Sequence, residues 1–348
     1  MSPRRNADII WFYIFLPCVV AYFVILTSFI NSKPTIGSVE ILDPSFSVLI
    51  YPGKDMEIIT TDLQWAEGPL WIQDDAASLS YLMFSDTVAN RIYKWEDGKG
   101  MFTVGKTIYV ENSGCKSDPA YCKSMGEPGS NGLLRRDSTS LDLLVCQHGE
   151  RAISLLRDNG TRALVASHFN HSRLNSPNDL VVSSDGHLYF TDPTYGLVKS
   201  AALVGQELPH SGLYMIRKEY LQIAMETGEP TDQVWLMDGT LTKPNGLAFS
   251  PDFSKLYVSN SDKTAPFWRV YDVADNGLLK NGRMFFDATS LFEKECSTGV
   301  PSTCADVGAP DGMKVDINGN LFATGPGGVL VISPAGWWCY SVLIFMCT

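Results

Sequence analysis

Beyond residue 45 the apolar residues come in short bursts rather than at helical spacing. LMFSDTVANRIYKW, LDLLVCQHGERAISLL, HLYFTDPTYGL, LYVSN and LFATGPGGVLVIS each alternate a few Leu, Val, Ile, Phe or Tyr residues with Gly, Asp, Asn, Ser and Pro. Such runs read as half-buried strands bounded by turns, and no long 3.6-residue periodicity competes with them. Many short strands at regular spacing predict an all-β closed architecture: a sandwich, a barrel or a propeller.

The runs repeat. EGPLW at 67, SNGLLRRDSTSLDLLVCQHG at 130, SPNDLVVSSDGHLYFTDP at 176, KPNGLAFSPDFSKLYVSN at 243 and APDGMKVDINGNLFATG at 309 share one plan. An acidic or amide residue, usually followed by Gly or Asp, heads an apolar strand, and a turn and a second strand follow. The lead residues Glu67, Asn131, Asn178, Asn245 and Asp311 are 64, 47, 67 and 66 positions apart. Blades with long outer loops have such a period. Five units and a short remainder predict a six-bladed β-propeller over residues 45–336 with an incomplete last blade. The remaining residues, 337–348 (WWCYSVLIFMCT), are too few for a four-stranded blade and read as an atypical apolar tail.

Equivalent positions of successive blades lie on one ring about a propeller axis, so the five lead side chains are expected to converge there. Asn-Gly and Asp-Gly can be simple turns. Each of the last three repeats already has another turn, at Asp185-Gly186, 250–254 and Asn318-Gly319, which leaves the lead pair without that purpose. Two carboxylates, Glu67 and Asp311, with up to three amides form a hard oxygen donor set of charge −2. That suits Ca²⁺, which takes 6 to 8 oxygen ligands.

Residues 9–30, IIWFYIFLPCVVAYFVILTSFI, are an uncharged run of 22, long enough for a transmembrane helix. Arg4 and Arg5 before it and Lys33, Glu40 and Asp43 after it predict a signal-anchor with residues 1–8 in the cytosol. Residues 31–44 would then be a linker, and the propeller would lie in the secretory lumen or outside the cell. Cleavage of this segment as a signal peptide, releasing a secreted protein, is the other reading. Cys115 with Cys122, and Cys296 with Cys304, bracket loop-like segments and are disulfide candidates. Asn159-Gly-Thr and Asn170-His-Ser are glycosylation sequons. A formal net charge of −11, with no basic tract after Arg5, excludes a nucleic-acid backbone as partner.

WAEGPLW, FSDTVANRIYKW, VCQHGERAI, NSPNDLVVSSDGHLYFTDPTYGL, KPNGLAFSPD and APDGMKVDINGNLFATGPGGVLVISP together resemble the SMP-30/gluconolactonase/LRE family of calcium-dependent six-bladed propellers. The resemblance spans about residues 45–335. It implies hydrolysis of a lactone or related ester substrate with a divalent ion, Ca²⁺ or Zn²⁺. It also implies that Glu67, Asn245 and Asp311 are metal ligands, with Asn178 as a fourth ligand or substrate-facing residue. A metal-polarised carbonyl attacked by water needs a base. Asp179, beside Asn178, is the first candidate, and the alternative for it is a structural carboxylate. His148 is the second, since related lactonase propellers place a His near the metal. Its alternative is a strand-end histidine satisfied by backbone. Asn131 joins Asn178 as a substrate-binding candidate. His168, His171, His187 and His210 read as surface residues. No GxSxG elbow is present, which argues against a serine hydrolase. A non-catalytic binding propeller and a strictosidine synthase-like propeller are the alternative functions.

Overall fold

The structure is a computed structural model that describes residues 35–49, 56–74, 79–97, 105–137, 140–197, 205–297 and 307–343. Five antiparallel sheets follow one another along the chain, and each is a blade. Blade 1 comprises Ala66–Asp74, Leu79–Asp86, Arg91–Trp95 and Lys106–Glu111. Blade 2 comprises Ser130–Arg135, Leu143–Gln147, Ala152–Leu156 and Arg162–Ala166. Blade 3 comprises Leu180–Val182, Leu188–Asp192, Gly212–Ile216 and Trp235–Asp238. Blade 4 comprises Pro244–Phe249, Lys255–Asp262, Ala265–Val273 and Leu279–Asp287. Blade 5 comprises Met313–Val315, Leu321–Gly325, Gly328–Ile332 and Trp338–Leu343, with Ser38–Ile41 added as a fifth strand at its outer edge.

The two-residue period of a strand sends alternate side chains to opposite faces, and here both faces are buried. In blade 2, Leu143 and Val145 pack with Ile72, Met83 and Ile92 of blade 1, while Leu144 and Cys146 pack with Leu180, Leu188 and Phe190 of blade 3. The same division continues through blades 3, 4 and 5. The hydrophobic core is therefore a set of layers between blades, which leaves the polar lead positions for the axial end.

Among the described residues the expected six blades are corrected to five. The segments read as tail and linker belong to the fifth sheet instead of to a further blade. Trp338–Leu343, within the stretch read as a tail, is paired on both sides, with Gly328–Ile332 and with Ser38–Ile41. Residues read as linker thus complete the last blade. The expected transmembrane signal-anchor is also corrected. Residues 9–30 lie outside the described residues, and among the described residues no helix is long and apolar enough to cross a membrane. Membrane attachment, and the single-pass localisation inferred from it, have no support and are set aside. The Cys115–Cys122 disulfide is formed. Cys296 is disulfide-bonded, and its expected partner Cys304 lies outside the described residues.

Candidate active site

Each lead residue stands at or just before the inner strand of its blade, and two recurrent devices hold it there. The first is a polar side chain closing the second strand. Asp86 accepts hydrogen bonds from the Gln64 and Trp65 N–H groups at 2.9 and 3.1 Å. Asp192 accepts from the Asn175 and Ser176 N–H groups, both at 2.8 Å. Asn260 accepts from the Lys243 N–H at 2.9 Å. These bonds pin the backbone two or three residues ahead of Glu67, Asn178 and Asn245. Burial nevertheless pushes the Asp192 carboxyl up to about 7, because two backbone donors only partly replace water.

The second device joins neighbouring blades. One residue before that position, a hydroxyl donates to the carbonyl of the next blade's lead residue: Ser85 to Asn131 at 2.8 Å, Thr191 to Asn245 at 2.7 Å and Ser259 to Asp311 at 2.9 Å. In blade 2 this place is taken by Cys146, and the Gly132 N–H donates to the Asn178 carbonyl at 2.7 Å instead. The glycines after Glu67 and Asn245 permit the approach. A Cβ on Gly68 would stand 2.1 Å from the Asn131 carbonyl oxygen, and one on Gly246 would stand 2.5 Å from that of Asp311.

These links bring Glu67, Asn131, Asn178, Asp179, Asn245 and Asp311 to one end of the axis. Desolvation first, and then the Asp311 carboxylate, hold the Glu67 pKa well above the usual range. The indole of Trp65 opposes this by donating to Glu67 Oε1 at 2.8 Å. Asp311 is raised to about 7, again by desolvation and then by Asp179, with an Asn245 hydrogen bond partly offsetting them. Asp311 Oδ1 is buried with no hydrogen-bond partner. Asp179 lies where three blades meet: Oδ1 accepts from the Leu180 N–H at 2.9 Å and Oδ2 from the Leu247 N–H at 3.4 Å, while a Cβ on Gly132 would come within 2.9 Å of Oδ1. Burial raises its pKa, and Lys314 of blade 5 draws it back.

His148 sits in the turn between the second and third strands of blade 2, which opens toward the end where the inner strands begin. Its ring is fully buried, and neither nitrogen has a hydrogen-bond partner. The nearest acidic atom, Glu127 Oε2, is 3.6 Å from Nδ1. Burial lowers the His148 pKa to about 4, offset in part by the Glu127 main chain, so the imidazole is neutral at neutral pH.

Sequence reasoning passed over three neighbours. Glu127, in the loop before blade 2, adds its charge to those acting on Glu67 and Asp311. Tyr195, in TDPTYGL, turns a hydroxyl toward Asn245 and Ser261, and burial keeps it protonated. Lys314 supplies the positive field on Asp179. Only Tyr195 had a signal, its place in the stretch quoted above. The loop of Glu127 does not repeat, and Lys314 is an ordinary alternate strand position.

The donor set fits a hard divalent cation. An unpartnered buried carboxylate oxygen is costly, and acidic groups whose pKa values are raised by their acidic neighbours, Glu67 by Asp311 and Asp311 by Asp179, call for a proton or a cation among them. Among the described residues no three His, Cys, Asp or Glu side chains are grouped so as to hold a metal ion. The cation would rest on Glu67 and Asp311 together with amide oxygens of Asn245 and Asn178.

A propeller whose axial end gathers carboxylates and amides from every blade defines the class of protein. The SMP-30/gluconolactonase/LRE-like family model matches residues 65–342, and the chain belongs to that family. A gluconolactonase from Zymomonas mobilis is 34% identical over 304 residues, covering 87% of this chain and 76% of that protein. The solved structure of a gluconolactonase from Xanthomonas campestris has a TM-score of 0.66 and 25% identity, covering 90% of this chain and 89% of that one. Regucalcin from Agrobacterium tumefaciens, described as a calcium-binding protein, shares the fold alone. Its TM-score is 0.51 at 15% identity, over 88% of this chain and 78% of that one.

Proposed function

We propose that this gluconolactonase-like enzyme opens a sugar lactone at the axial cluster with the help of a divalent cation, calcium foremost. The observation that carries the reading is the buried, unpartnered Asp311 Oδ1 in the same electrostatic cluster as Glu67. When bound, such an ion supplies Lewis-acid polarisation of the lactone carbonyl. Glu67, Asp311, Asn245 and Asn178 hold it. Asn131 and Asn178 present amides that orient the substrate's ring hydroxyls, and the protonated Tyr195 hydroxyl donates a hydrogen bond into the same space. Asp179 takes a proton from the attacking water. Its raised pKa makes it a better base than an ordinary aspartate, and Oδ2, with only a 3.4 Å bond to Leu247, is the freer oxygen. Water adds hydroxide to the acyl carbon, the ring C–O bond breaks, and the proton on Asp179 passes to the departing alkoxide to yield the hydroxy acid. His148, whose pKa burial lowers to about 4, shapes the wall of the site.

The test is ring opening of aldonolactones followed by pH-stat, with cation affinity measured by calorimetry on the same samples. Asp311→Ala is expected to lose cation binding and hydrolysis together. Asp179→Asn should keep the cation and lose about 10²- to 10⁴-fold in rate, the usual share of general-base catalysis. His148→Gln should change the rate little. Full activity in Asp311→Ala ends the metal-hydrolase reading, and an inactive His148→Gln beside an active Asp179→Asn moves the base to His148.

A further inference from the structure

Away from the axis, a cavity of about 470 Å³ opens beside blade 2. It has the size of a site for a small molecule of the sugar class. Three separate constructions bring its walls together. The outer strand of blade 2 contributes Arg162, whose Nη1 is buried and has no hydrogen-bond partner. A tight hairpin contributes His168 and Arg173, which face each other in register. Its turn residues, Asn170 and His171, both adopt positive φ, at 48° and 67°. The loop closed by the Cys115–Cys122 disulfide contributes Lys116, whose N–H is fixed by Glu150 Oε1 at 2.7 Å.

Charge runs against the rest of the molecule here. Lys116, Arg162 and Arg173 outnumber Glu150, which leaves two positive charges in excess, whereas the chain as a whole carries −11. Glu150 is already engaged with Lys116 through its Oε1, and Arg173 Nη2 donates to the Glu150 carbonyl at 3.1 Å. A guanidinium N–H sequestered from water without an acceptor costs free energy that an incoming anion would recover. The remaining polar groups carry no charge. Ser154 donates to Gln147, the Gln147 amide donates to the Ser113 carbonyl and Ser167 pairs with His168, so their spare lone pairs, with Ser117, match hydroxyls rather than a second charge.

We propose that this cavity is a second ligand site, separate from the axial cluster, that binds a small polyhydroxylated anion with its carboxylate or phosphate on Arg162. Arg173 and Lys116 flank the anionic group, and the serine hydroxyls with Gln147 receive the polyol. None of the axial residues lines this cavity, so its ligand binding is independent of lactone opening.

Calorimetric titration of the full chain in EDTA and low salt tests it, with gluconate, glucose 6-phosphate, inorganic phosphate and glucose as probes. One of the two sugar anions is expected to bind saturably at one equivalent, and glucose is expected not to bind. Preference for gluconate assigns a carboxylate ligand, and preference for glucose 6-phosphate a phosphorylated one. Arg162→Gln should weaken binding by at least about tenfold, in keeping with the loss of a charge-assisted bond. Lys116→Ala, at an exposed position, should weaken it a few-fold, and Asp311→Ala should leave it intact. If Arg162→Gln does not fold, Arg162→Lys together with Lys116→Ala gives the same answer, because a bidentate contact does not survive that exchange. The proposal is overturned if neither sugar anion binds, if Arg162 and Lys116 variants bind as well as the parent, or if Asp311→Ala abolishes binding. Inorganic phosphate binding as tightly as glucose 6-phosphate would remove the polyol from the proposal and refute it in that form.

Discussion

Between blades 2 and 3, Leu144, Ile153, Leu155 and Val165 interleave with Leu180, Leu188, Phe190 and Ile216 in one buried layer. Between blades 5 and 1 the packing is of another kind. Phe84, Tyr93 and Trp95 cluster on the free face of blade 1, while Val331 gathers Val39, Leu49 and Phe322 on the free face of blade 5, and the two groups do not merge. The polar links change in the same way. Ser85, Thr191 and Ser259 each reach the next blade, but the equivalent Thr324 hydroxyl donates to Gly312 of its own sheet at 3.0 Å. Added Cβ atoms on Gly68 and Gly246 would strike a neighbouring lead residue, while one on Gly312 would meet nothing within 4 Å. Of the four junctions between consecutive blades, three carry the hydroxyl link and that of blades 2 and 3 has the Gly132 N–H in its place. At the fifth junction the link is the chain itself, because Ser38–Ile41, which precedes blade 1, pairs in the sheet of blade 5, and the Asp311 carboxylate of blade 5 acts on Glu67 of blade 1.

Glycine replacement is the most severe way to probe this difference. Gly68→Ala combines a positive φ of 57° with a 2.1 Å clash against backbone, and should cost about 3 kcal/mol or more in a denaturant titration. Gly312→Ala should cost less than about 1 kcal/mol, and an equal loss in both would mean that the fifth junction is as tight as the rest.

The charge across that junction offers a second probe. With Asp311 at about 7 and Glu67 raised as well, a cation must displace protons below neutrality. Its affinity should fall by about tenfold per pH unit for each proton displaced below pH 7. Stability of the metal-free chain has the matching sign. The folded state holds a proton on Asp311 that the unfolded state releases near pH 4, so stability is full below about 4 and declines as pH rises toward 7. Added calcium should restore it most at high pH, and thermal melts with and without EDTA will show this. Melting temperatures insensitive to calcium at pH 8 would disconnect the ion from the junction.

The mildest probe is the hydroxyl series. Thr191→Val leaves the buried Asn245 carbonyl short of a donor and should cost about 1–3 kcal/mol, whereas Thr324→Val should stay within about 0.5 kcal/mol.

The lead residues could be read from the sequence because repetition reports on geometry: residues that recur in register with a strand must recur in space on a closed ring. Glu67, Asn131, Asn178, Asn245 and Asp311 stand at or just before successive inner strands, as the repeat predicts, and Asp179 follows Asn178. The same repeat contained the hydroxyl and the strand-closing side chain, as SD, TD and SN at 85, 191 and 259. Their meaning depends on contacts between blades, to which a single strand gives no clue. Blade number was misjudged because strands donated from far along the chain have no local pattern that tells them from linker or tail. Protonation lay further out of reach. His148 reads like any strand-end histidine, and only the loss of water around both ring nitrogens sets its pKa near 4.

Pairing of Ser38–Ile41 with Trp338–Leu343 matches Ser38 with Leu343 and Ile41 with Tyr340. Ser38–Ile41 cannot dock until Trp338–Leu343 has been made, about 300 residues later, so this seam forms late and at high cost in loop entropy. Until then the first of these strands has no partner in its sheet, and a chaperone able to hold a single extended segment has something to grip throughout synthesis. A chain cut short before residue 338 would keep that edge unpaired in its sheet.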